Sequence, residues 1–418
     1  MISFEIPAGV ASVSKLVHGL AQGAMRKWAR WADDHEHERC EEWVNTMWSL
    51  AKGGMMGSVA GGLSRKKKDK PEGEPEKKKE VRYQNLIMAA AVEELSWGDA
   101  GLYLAMPFMG LGGAAVSAVG TDEQKERFLT RFTKAAKPVW GAMAITEPGA
   151  GSDSAAITAT AELDPKTKEW ILNGEKIFVT QGKSSVEDSE GFVVVWATRD
   201  RKAGRAAIKS FVVEHGTPGM KVTKIEHKLG IRASDTAAIV FEDCRIPYDN
   251  LLGDPEVKEG FKGAMATFDA TRPMVAASAI GIGRAAVERC KELYEQNGGK
   301  LRYGINPNRL TSAERDLMMM EAQLQISRLL TWKAAWMADA GIRNNLEASV
   351  CKAKTGKAIT WVTNKAVELM GPVGYSKKEL LEKWLRDAKI NDIFEGTGQI
   401  NTLIVARRIF GLGSKELK

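Results

Sequence analysis

The chain has 418 residues and a formal net charge of +7, with 44% apolar and 27% charged residues. This globular balance excludes a fully disordered chain and a collagen-like fibre. Because the length exceeds what one hydrophobic core supports, we expect two or three domains.

The first zone, residues 1–140, has a mostly helical pattern that is interrupted once. Thr121, followed by two acids and Gln124, has the capping residue and the early negative charge of a helix start. The interruption, residues 65–80, reads RKKKDKPEGEPEKKKE and has nothing apolar to bury. It predicts a disordered, solvated insertion within an N-terminal helical domain.

The second zone, residues 141–254, contains short runs rich in β-branched and aromatic residues that Gly, Asn, Asp and Pro separate. We expect a small antiparallel sheet or barrel here. The third zone, residues 255–418, returns to apolar residues at steps of three and four, such as Ile359, Val362 and Ala366. Such a stripe predicts the core of a helical bundle rather than a cofactor site. The predicted class is α+β, with helices before and after a β-domain.

Charge and cysteine usage limit the partners and the compartment. The acids of the 65–80 segment alternate with its lysines, and the rest of the chain is only mildly basic, so we expect neither a nucleic-acid partner nor membrane docking. No apolar run reaches the roughly 18–20 residues of a spanning helix. The N-terminal residues lack the basic start of a secretory signal. The four cysteines are far apart, which predicts reduced thiols in a bacterial cytoplasm or, in a eukaryote, the mitochondrial matrix.

Residues 145–153, ITEPGAGSD, form the densest polar motif. Its glycines permit close approach of a ligand to the backbone, and its hydroxyls and N–H groups can hold a polar ring or a phosphate. Taken alone, the GAGSD part of the motif is more typical of an ordinary turn. Residues 178–182, 228–236 and 268–273 are similarly ordinary in isolation: a strand exit, a polar turn and a capped helix start.

Residues 393–400, IFEGTGQI, are the most suggestive, because Glu395 stands between an aromatic residue and a glycine in an apolar stretch. Burial raises the pKa of a carboxyl group towards the range of a useful general base. The alternative is an ordinary acid at a helix N-terminus.

Other classical arrangements are absent from the sequence. His35 and His37 are two residues apart, which puts them on different sides of a helix, so we expect a solvated face and no metal. We find no P-loop and no Ser-His-Asp arrangement. The glycines at 281 and 283 follow no strand, which argues against a nicotinamide site of the Rossmann type.

Taken in order, these motifs resemble the acyl-CoA dehydrogenase family from about Tyr83 to Arg408. The resemblance rests on AITEPGAGSD, NGEKIFVTQG, GIRASDTAAIVFEDCRIP, FDATRPMVAA and RDAKINDIFEGTGQI. It implies an N-terminal helical domain (1–140), a middle β-domain (141–254) and a C-terminal four-helix bundle (255–418). It also implies bound FAD and a homodimer or homotetramer.

By this resemblance, Glu395 is the base that removes the α-proton of an acyl thioester while the β-hydrogen leaves as hydride to flavin N5. That proton is weakly acidic, so the thioester carbonyl needs hydrogen bonds, here implied from the Glu395 N–H and a flavin ribityl hydroxyl. Thr271 stands where some relatives carry their base, and it is not acidic.

The resemblance also implies the binding residues. Those implied for FAD are Ile145, Thr146, Ser152, Phe178, Thr180, Lys300, Arg302, Tyr303, Thr397 and Gln399. Those implied for the acyl-CoA are Ser152, Asp269, Arg272, Phe394 and Gly396.

Three segments depart from the family pattern. Where the family has ERKxFG, whose Arg grips the FAD pyrophosphate, this chain has GGKLRYG, with Lys300 at the Arg position and Arg302 as a substitute phosphate ligand. Lys and Arg are not equivalent at such a site. Thr311 replaces a usual Gln, and ELMGPVG replaces a Gln-containing segment that ends in GGxG.

We therefore expect an FAD-dependent dehydrogenase that makes trans-2-enoyl-CoA and passes electrons to an electron-transfer flavoprotein. Two alternatives stay open: a flavin oxidase or monooxygenase on the same fold, and a weakly FAD-binding partner subunit of a hetero-oligomer. Retention of Glu395 favours the dehydrogenase. We expect residues 102–113 to line the acyl end, where Gly110, Gly112 and Gly113 could leave room for a long or bulky chain. Met106, Phe108 and Met109 could instead plug that end, so the acyl chain length stays open.

Overall fold

The computed structural model describes residues 5–52, 83–254, 260–413 and 416, with the backbone alone for 260–266. The charged segment 65–80 lies outside the described residues. The described part of the chain divides into two compact units. The helical unit comprises residues 5–27, 83–100 and 269–416, and the sheet unit comprises residues 28–52, 101–254 and 260–268.

The sheet unit contains a seven-stranded sheet in the order β1-β4-β2-β3-β7-β6, with β5 paired to β4. The strands are β1 (Gly141–Ala144), β2 (Thr160–Asp164), β3 (Glu169–Thr180), β4 (Phe192–Thr198), β5 (Ile208–Glu214), β6 (Met220–Ile225) and β7 (Thr236–Pro247). Most pairs are antiparallel, as expected, but β4 pairs parallel with both β1 and β2. In both cases another strand lies between the partners along the chain, since only a crossover can bring two strands side by side in parallel.

Strand β4 shows why the sheet is stable. All of its residues are buried, and alternate side chains enter different cores: Val193 and Val195 enter one core, and Val194 and Trp196 enter the other. A strand whose alternate side chains lie in two apolar cores is covered on both faces. Strand β4 is therefore buried on both faces of the sheet, and it pairs with β1, β2 and β5.

The helices are α1 (Ala8–Leu20), α2 (Ala29–Asp34), α3 (Glu41–Lys52), α4 (Gln84–Ala105), α5 (Gly110–Val119), α6 (Asp122–Leu129), α7 (Arg131–Lys134), α8 (Gly182–Val186), α9 (Gly260–Gln296), α10 (Ser312–Asp339), α11 (Asn345–Tyr375), α12 (Leu381–Ala388) and α13 (Gly398–Ile409). The predicted helix start at Thr121 is confirmed, because Thr121 and Gln124 form a reciprocal capping box. Gly281 lies inside α9, where a Cβ would come 2.2 Å from the carbonyl oxygen of Glu93. That glycine therefore serves close helix packing.

The predicted fold class is confirmed: helical N- and C-terminal regions accompany a middle sheet. The four cysteines are buried, and no disulfide joins them. In the described residues no single helix is long and apolar enough to cross a membrane, although the bent pair α4 and α5 meets the criterion when counted together.

Candidate active site

In the sheet unit, a buried ion pair fixes the chain directly after β1. The Nζ atom of Lys176 lies 2.7 Å from Oε1 of Glu147 and donates a hydrogen bond of 3.1 Å to the carbonyl of Ile145. The backbone N–H groups of Thr158 and Ala159 also donate to Glu147. Lys176 is 0% exposed. These contacts hold residues 145–147 in place at the end of β1.

Burial lowers the pKa of Lys176 to about 8, against the opposing charge of Glu147. For Glu147, burial acts to raise the pKa, but the charge and hydrogen bond of Lys176 outweigh it and leave the pKa below its usual value. The carboxylate of Glu147 is therefore ionised and occupied by its hydrogen bonds. It has a structural role and is not a base.

The predicted flavin contacts of this unit lie close in the sheet. The N–H of Ile177 donates 2.9 Å to the carbonyl of Thr146, which puts Thr146 beside the C-terminal half of β3. Phe178 and Thr180 follow on β3, and a shift in pairing register between Lys176 and Val179 marks a bulge at Phe178. Phe178 has a positive φ of 57° and its ring is 60% exposed.

This arrangement fits a flavin ring. The ring of Phe178 is exposed, and its left-handed backbone conformation is strained. Exposed aromatic side chains on strained backbone are found at ligand sites. Half-buried Thr146 and Thr180 supply hydroxyl groups beside it. A Cβ at Gly149 or Gly151 would meet no atom within 4 Å, so the loop leaves open space. Ser152 lies exposed in the same loop.

In the helical unit, Glu395 lies between a 3₁₀ turn (Lys389–Asp392) and α13. Glu395 and Gly396 have positive φ values of 51° and 87°. Left-handed backbone is costly for a glutamate, and such strain clusters at functional sites. The local sequence provides the neighbouring glycines that this tight connection needs.

The carboxyl group of Glu395 has the environment of a base. Its Oε2 atom is buried and has no hydrogen-bond partner among the described residues. Burial raises the pKa of Glu395, against a hydrogen bond from Thr271 and the charges of Lys352 and Arg272. The group thus has one oxygen available for a proton and a pKa moved upward, as proton abstraction requires.

Lys352 on α11 fixes the backbone that follows the base. Its Nζ atom donates 2.7 Å to the carbonyl of Gly396, and Asn401 donates to the same carbonyl at 2.9 Å. Lys352 is 1% exposed. Burial lowers its pKa to about 8, and the charge of Glu395 opposes that shift.

The residues implied for the acyl-CoA lie in this unit as well. The guanidinium of Arg272 is buried and donates 2.7 Å to Asp269. Phe394 is half-buried, Gln399 is exposed, and the hydroxyl of Thr397 caps α13 by accepting from the N–H of Ile400. The structure brings Glu395, Arg272 and Lys352 into one electrostatic group. It does not test the ligand assignments, which stay predictions.

The altered FAD-phosphate segment forms ion pairs within its own unit. Arg302 makes two hydrogen bonds of 2.7 Å to buried Glu314, and Tyr303 donates to Glu321 at 2.7 Å. Thr311, which replaces the usual Gln, caps α10 in a capping box with Glu314. Lys300 is exposed. A phosphate would therefore compete with Glu314 for the Arg302 guanidinium.

The three glycines that could have left room for the acyl chain are packed against other residues instead. A Cβ at Gly110 would lie 2.6 Å from the carbonyl oxygen of Gly141, and one at Gly112 would lie 2.5 Å from that of Ala142. A Cβ at Gly113 would meet Met109 at 2.4 Å. These glycines permit close packing of α5 on β1, so the space that they leave is already filled.

Sequence reasoning missed Glu147, Lys176 and Lys352 as functional neighbours. Glu147 and Lys176 stood inside quoted motifs, and Lys352 stands on the apolar face of α11 that also carries Ile359 and Val362. A lysine on a core-facing stripe of apolar residues is a sequence signal for a buried polar contact, because buried lysines need a partner.

Three family models match the chain. They are described as the N-terminal, middle and C-terminal domains of acyl-CoA dehydrogenase, and they match residues 75–136, 142–244 and 258–410. The mitochondrial short-chain specific acyl-CoA dehydrogenase of Bos taurus is 38% identical over 322 residues, which cover 77% of this chain and 75% of that protein. The acryloyl-CoA reductase (NADH) of Anaerotignum propionicum is 38% identical over 295 residues, 71% of this chain and 72% of that protein.

Two solved structures have the same architecture. Butyryl-CoA dehydrogenase from Megasphaera elsdenii superposes with a TM-score of 0.82 at 28% identity, over 98% of this chain and 100% of that chain. A structure described as the electron transferring flavoprotein of Acidaminococcus fermentans also has a TM-score of 0.82 at 28% identity, over 98% and 99%.

Proposed function

The chain belongs to the acyl-CoA dehydrogenase family, and we propose that it oxidises a short-chain acyl-CoA to the trans-2-enoyl-CoA with Glu395 as the base. As a member of the family it is an FAD-dependent oxidoreductase. The observation that carries the proposal is the buried carboxyl of Glu395, which has an unpartnered Oε2 and a raised pKa.

The chain's own residues supply the proton chemistry. Glu395 takes the α-proton on Oε2, while the hydroxyl of Thr271 holds the carboxyl group from its other side. Lys352 and Asn401 anchor the carbonyl of Gly396 and so restrict the strained backbone next to the base. Burial excludes water, which would otherwise lower the basicity of the carboxylate.

Each unit contains residues that we propose for FAD. In the sheet unit, the residues proposed for the flavin ring are Ile145, Thr146, Ser152, Phe178 and Thr180. In the helical unit, the residues proposed for the adenosine diphosphate part are Lys300, Arg302, Tyr303, Thr397 and Gln399. When bound, FAD supplies the acceptor for the β-hydride and its two electrons.

The substrate class and the electron acceptor are inferred from the relatives. Short-chain specific enzymes and a butyryl-CoA dehydrogenase are among the similar proteins, so we propose a four-carbon acyl-CoA. An electron-transferring flavoprotein is the proposed acceptor, supported by the likeness to the Acidaminococcus fermentans structure described above. A homodimer or homotetramer stays a prediction.

One similar protein favours a second candidate function. The acryloyl-CoA reductase (NADH) is named for an NADH-dependent reduction of an enoyl thioester, which is the reverse direction of the same proton and hydride chemistry. Under this alternative, Glu395 in its protonated form would return the α-proton.

The test is an anaerobic titration of the purified yellow protein with butyryl-, octanoyl- and palmitoyl-CoA. We expect the flavin band near roughly 450 nm to bleach at stoichiometric butyryl-CoA and far less with the longer thioesters. Electron-transferring flavoprotein should then restore the band. Acryloyl-CoA with NADH, followed at the NADH band, tests the reverse direction in the same preparation.

Each possible result of this titration favours a different candidate function. Bleaching with palmitoyl-CoA alone would overturn the short-chain assignment. Rapid reoxidation by oxygen would favour the oxidase alternative. A protein that stays colourless with added FAD would favour the partner-subunit alternative, with Lys300 and the Arg302–Glu314 pair as the first residues to examine.

A further inference from the structure

A group of two histidines and one glutamate lies in the sheet unit and is not used by the proposed reaction. Glu36 and His37 follow α2, and His227 lies between β6 and β7. Their ligand atoms all lie within 4.8 Å of one another. We propose that Glu36, His37 and His227 bind a divalent transition-metal ion of the zinc class.

The distances fit a shared metal ion. The Nε2 atom of His37 lies 3.2 Å from Nδ1 of His227, and that Nδ1 atom lies 3.1 Å from Oε2 of Glu36. Zinc bonds to histidine and carboxylate are about 2.0–2.2 Å, so two ligand atoms of a tetrahedral site lie about 3.3 Å apart. Two imidazoles and a carboxylate are borderline ligands that suit Zn²⁺, Co²⁺ or Ni²⁺.

Hydrogen bonds alone do not satisfy these contacts well. Nδ1 of His227 carries at most one hydrogen, which cannot point directly at both His37 and Glu36. If His37 donates instead, the bare Nδ1 of His227 faces a carboxylate oxygen. A cation among the three atoms satisfies both contacts at once.

The surroundings orient the carboxylate of Glu36 as a ligand. The N–H of Lys228 binds Oε1 at 2.7 Å, and Arg232 binds Oε2 at 2.9 Å. Such outer contacts orient a ligating carboxylate.

Accessibility agrees with an exchangeable ion. The side chain of His227 is 82% exposed and that of Glu36 is 5% exposed, so the remaining coordination positions open to water. Because the Arg232 guanidinium offsets part of the carboxylate charge, we expect micromolar rather than nanomolar affinity. A bound ion would join segments 190 residues apart and thereby stabilise the sheet unit.

The experiment uses tag-free, EDTA-treated full-length protein titrated with Co²⁺. We expect one equivalent to bind with visible absorption between roughly 500 and 700 nm, displaced by Zn²⁺. Zn²⁺ should also raise the Tm of the wild type. His37→Ala and His227→Ala should each weaken binding at least tenfold.

His35→Ala is the matched control, because His35 lies two residues from His37 and contacts the carbonyl of Trp31 instead. It should bind Co²⁺ as the wild type does. Equal loss in His35→Ala, or millimolar binding that none of the variants changes, would mean an adventitious ion only and overturn the proposal. His227 is so exposed that its variant tests the site without endangering the fold.

Discussion

Each unit of this protein buries a lysine and a glutamate together, and the two pairs differ in what the carboxyl group contacts. In the sheet unit, Glu147 accepts hydrogen bonds from Lys176, Thr158 and Ala159. In the helical unit, Lys352 donates to the carbonyl of Gly396 instead, and Oε2 of Glu395 has no partner among the described residues. The pKa of Lys176 and that of Lys352 are both lowered to about 8.

The difference separates a scaffold carboxylate from a reactive one. A carboxylate with all its lone pairs engaged stays ionised, and its pKa falls, as for Glu147. A carboxyl group that is buried without that support has a raised pKa, as for Glu395. The same residue types thus give opposite functions, and hydrogen bonds to the carboxyl group decide which.

The largest effect is expected for Glu395→Gln. The amide keeps the size of the side chain but cannot accept the α-proton, so flavin reduction by butyryl-CoA should fall by at least about 10³-fold. Stopped-flow absorbance of the anaerobic protein measures this rate, and thioester binding should persist. Glu292→Gln, which removes a carboxylate paired with Arg289 on α9, is the control and should react normally. Reduction at the wild-type rate in Glu395→Gln would refute the base assignment.

The second effect is on stability. Lys176→Met leaves Glu147 buried with its charge uncompensated, and breaking a buried pair on one side costs about 3–5 kcal/mol. The urea midpoint should fall sharply. Lys183→Met is the control, because Lys183 pairs with Asp188 at the surface and such pairs contribute about 0–1 kcal/mol. Equal midpoints for the two variants would show that the buried pair is not structural.

The sequence sufficed for the fold class and for Glu395 as a candidate, because motif order and an acid in an apolar stretch are local signals. It gave no sign that Glu147 is a scaffold group, because only the tertiary structure shows that its carboxylate receives N–H groups from residues 158 and 159. It also could not decide the role of Gly110 and Gly112, since a glycine that leaves space and one that permits packing look identical in sequence.

His37 also shows what the sequence could not predict, here a contact between residues that are far apart in the chain. Its spacing from His35 predicted a solvated face. Its actual neighbour, His227, is 190 positions away in sequence, and no periodicity connects the two. Contacts between distant segments need the fold itself.

The third effect is expected for Lys352. Its charge and its position should both influence the base Glu395. Because its positive charge lowers the pKa of Glu395, Lys352→Met should raise that pKa further. More of the base is then protonated at pH 7, so flavin reduction should slow on the order of tenfold, with the acidic limb of the pH profile moved to higher pH.

Lys357→Met on the exposed side of the same helix is the matched control and should leave the profile unchanged. Lys352→Arg, which keeps the charge, should restore the position of the acidic limb even if the maximal rate stays reduced. A reduced rate with an unmoved limb in Lys352→Met would limit Lys352 to packing and remove it from the comparison.

The smallest effect is expected in acid and depends on Glu147. Burial acts to raise its pKa, but Lys176 and two backbone N–H groups hold it below the usual value. A carboxyl group whose pKa is lower in the folded chain binds fewer protons folded than unfolded. Its contribution to stability is therefore present above the unfolded pKa of about 4.3 and is lost as pH falls through the folded value.

Urea midpoints measured from pH 6 down to pH 3 should thus decline more steeply for the wild type than for Glu147→Gln, which has no proton to gain there. Glu395 should act in the opposite sense, because its raised pKa makes the protonated group easier to bury as pH falls. Glu395→Gln should therefore steepen the acid decline that Glu147→Gln flattens. Two variants with the same slope would mean that the contacts around the two carboxyl groups do not set their proton affinities, and the distinction between scaffold and base would then need another cause.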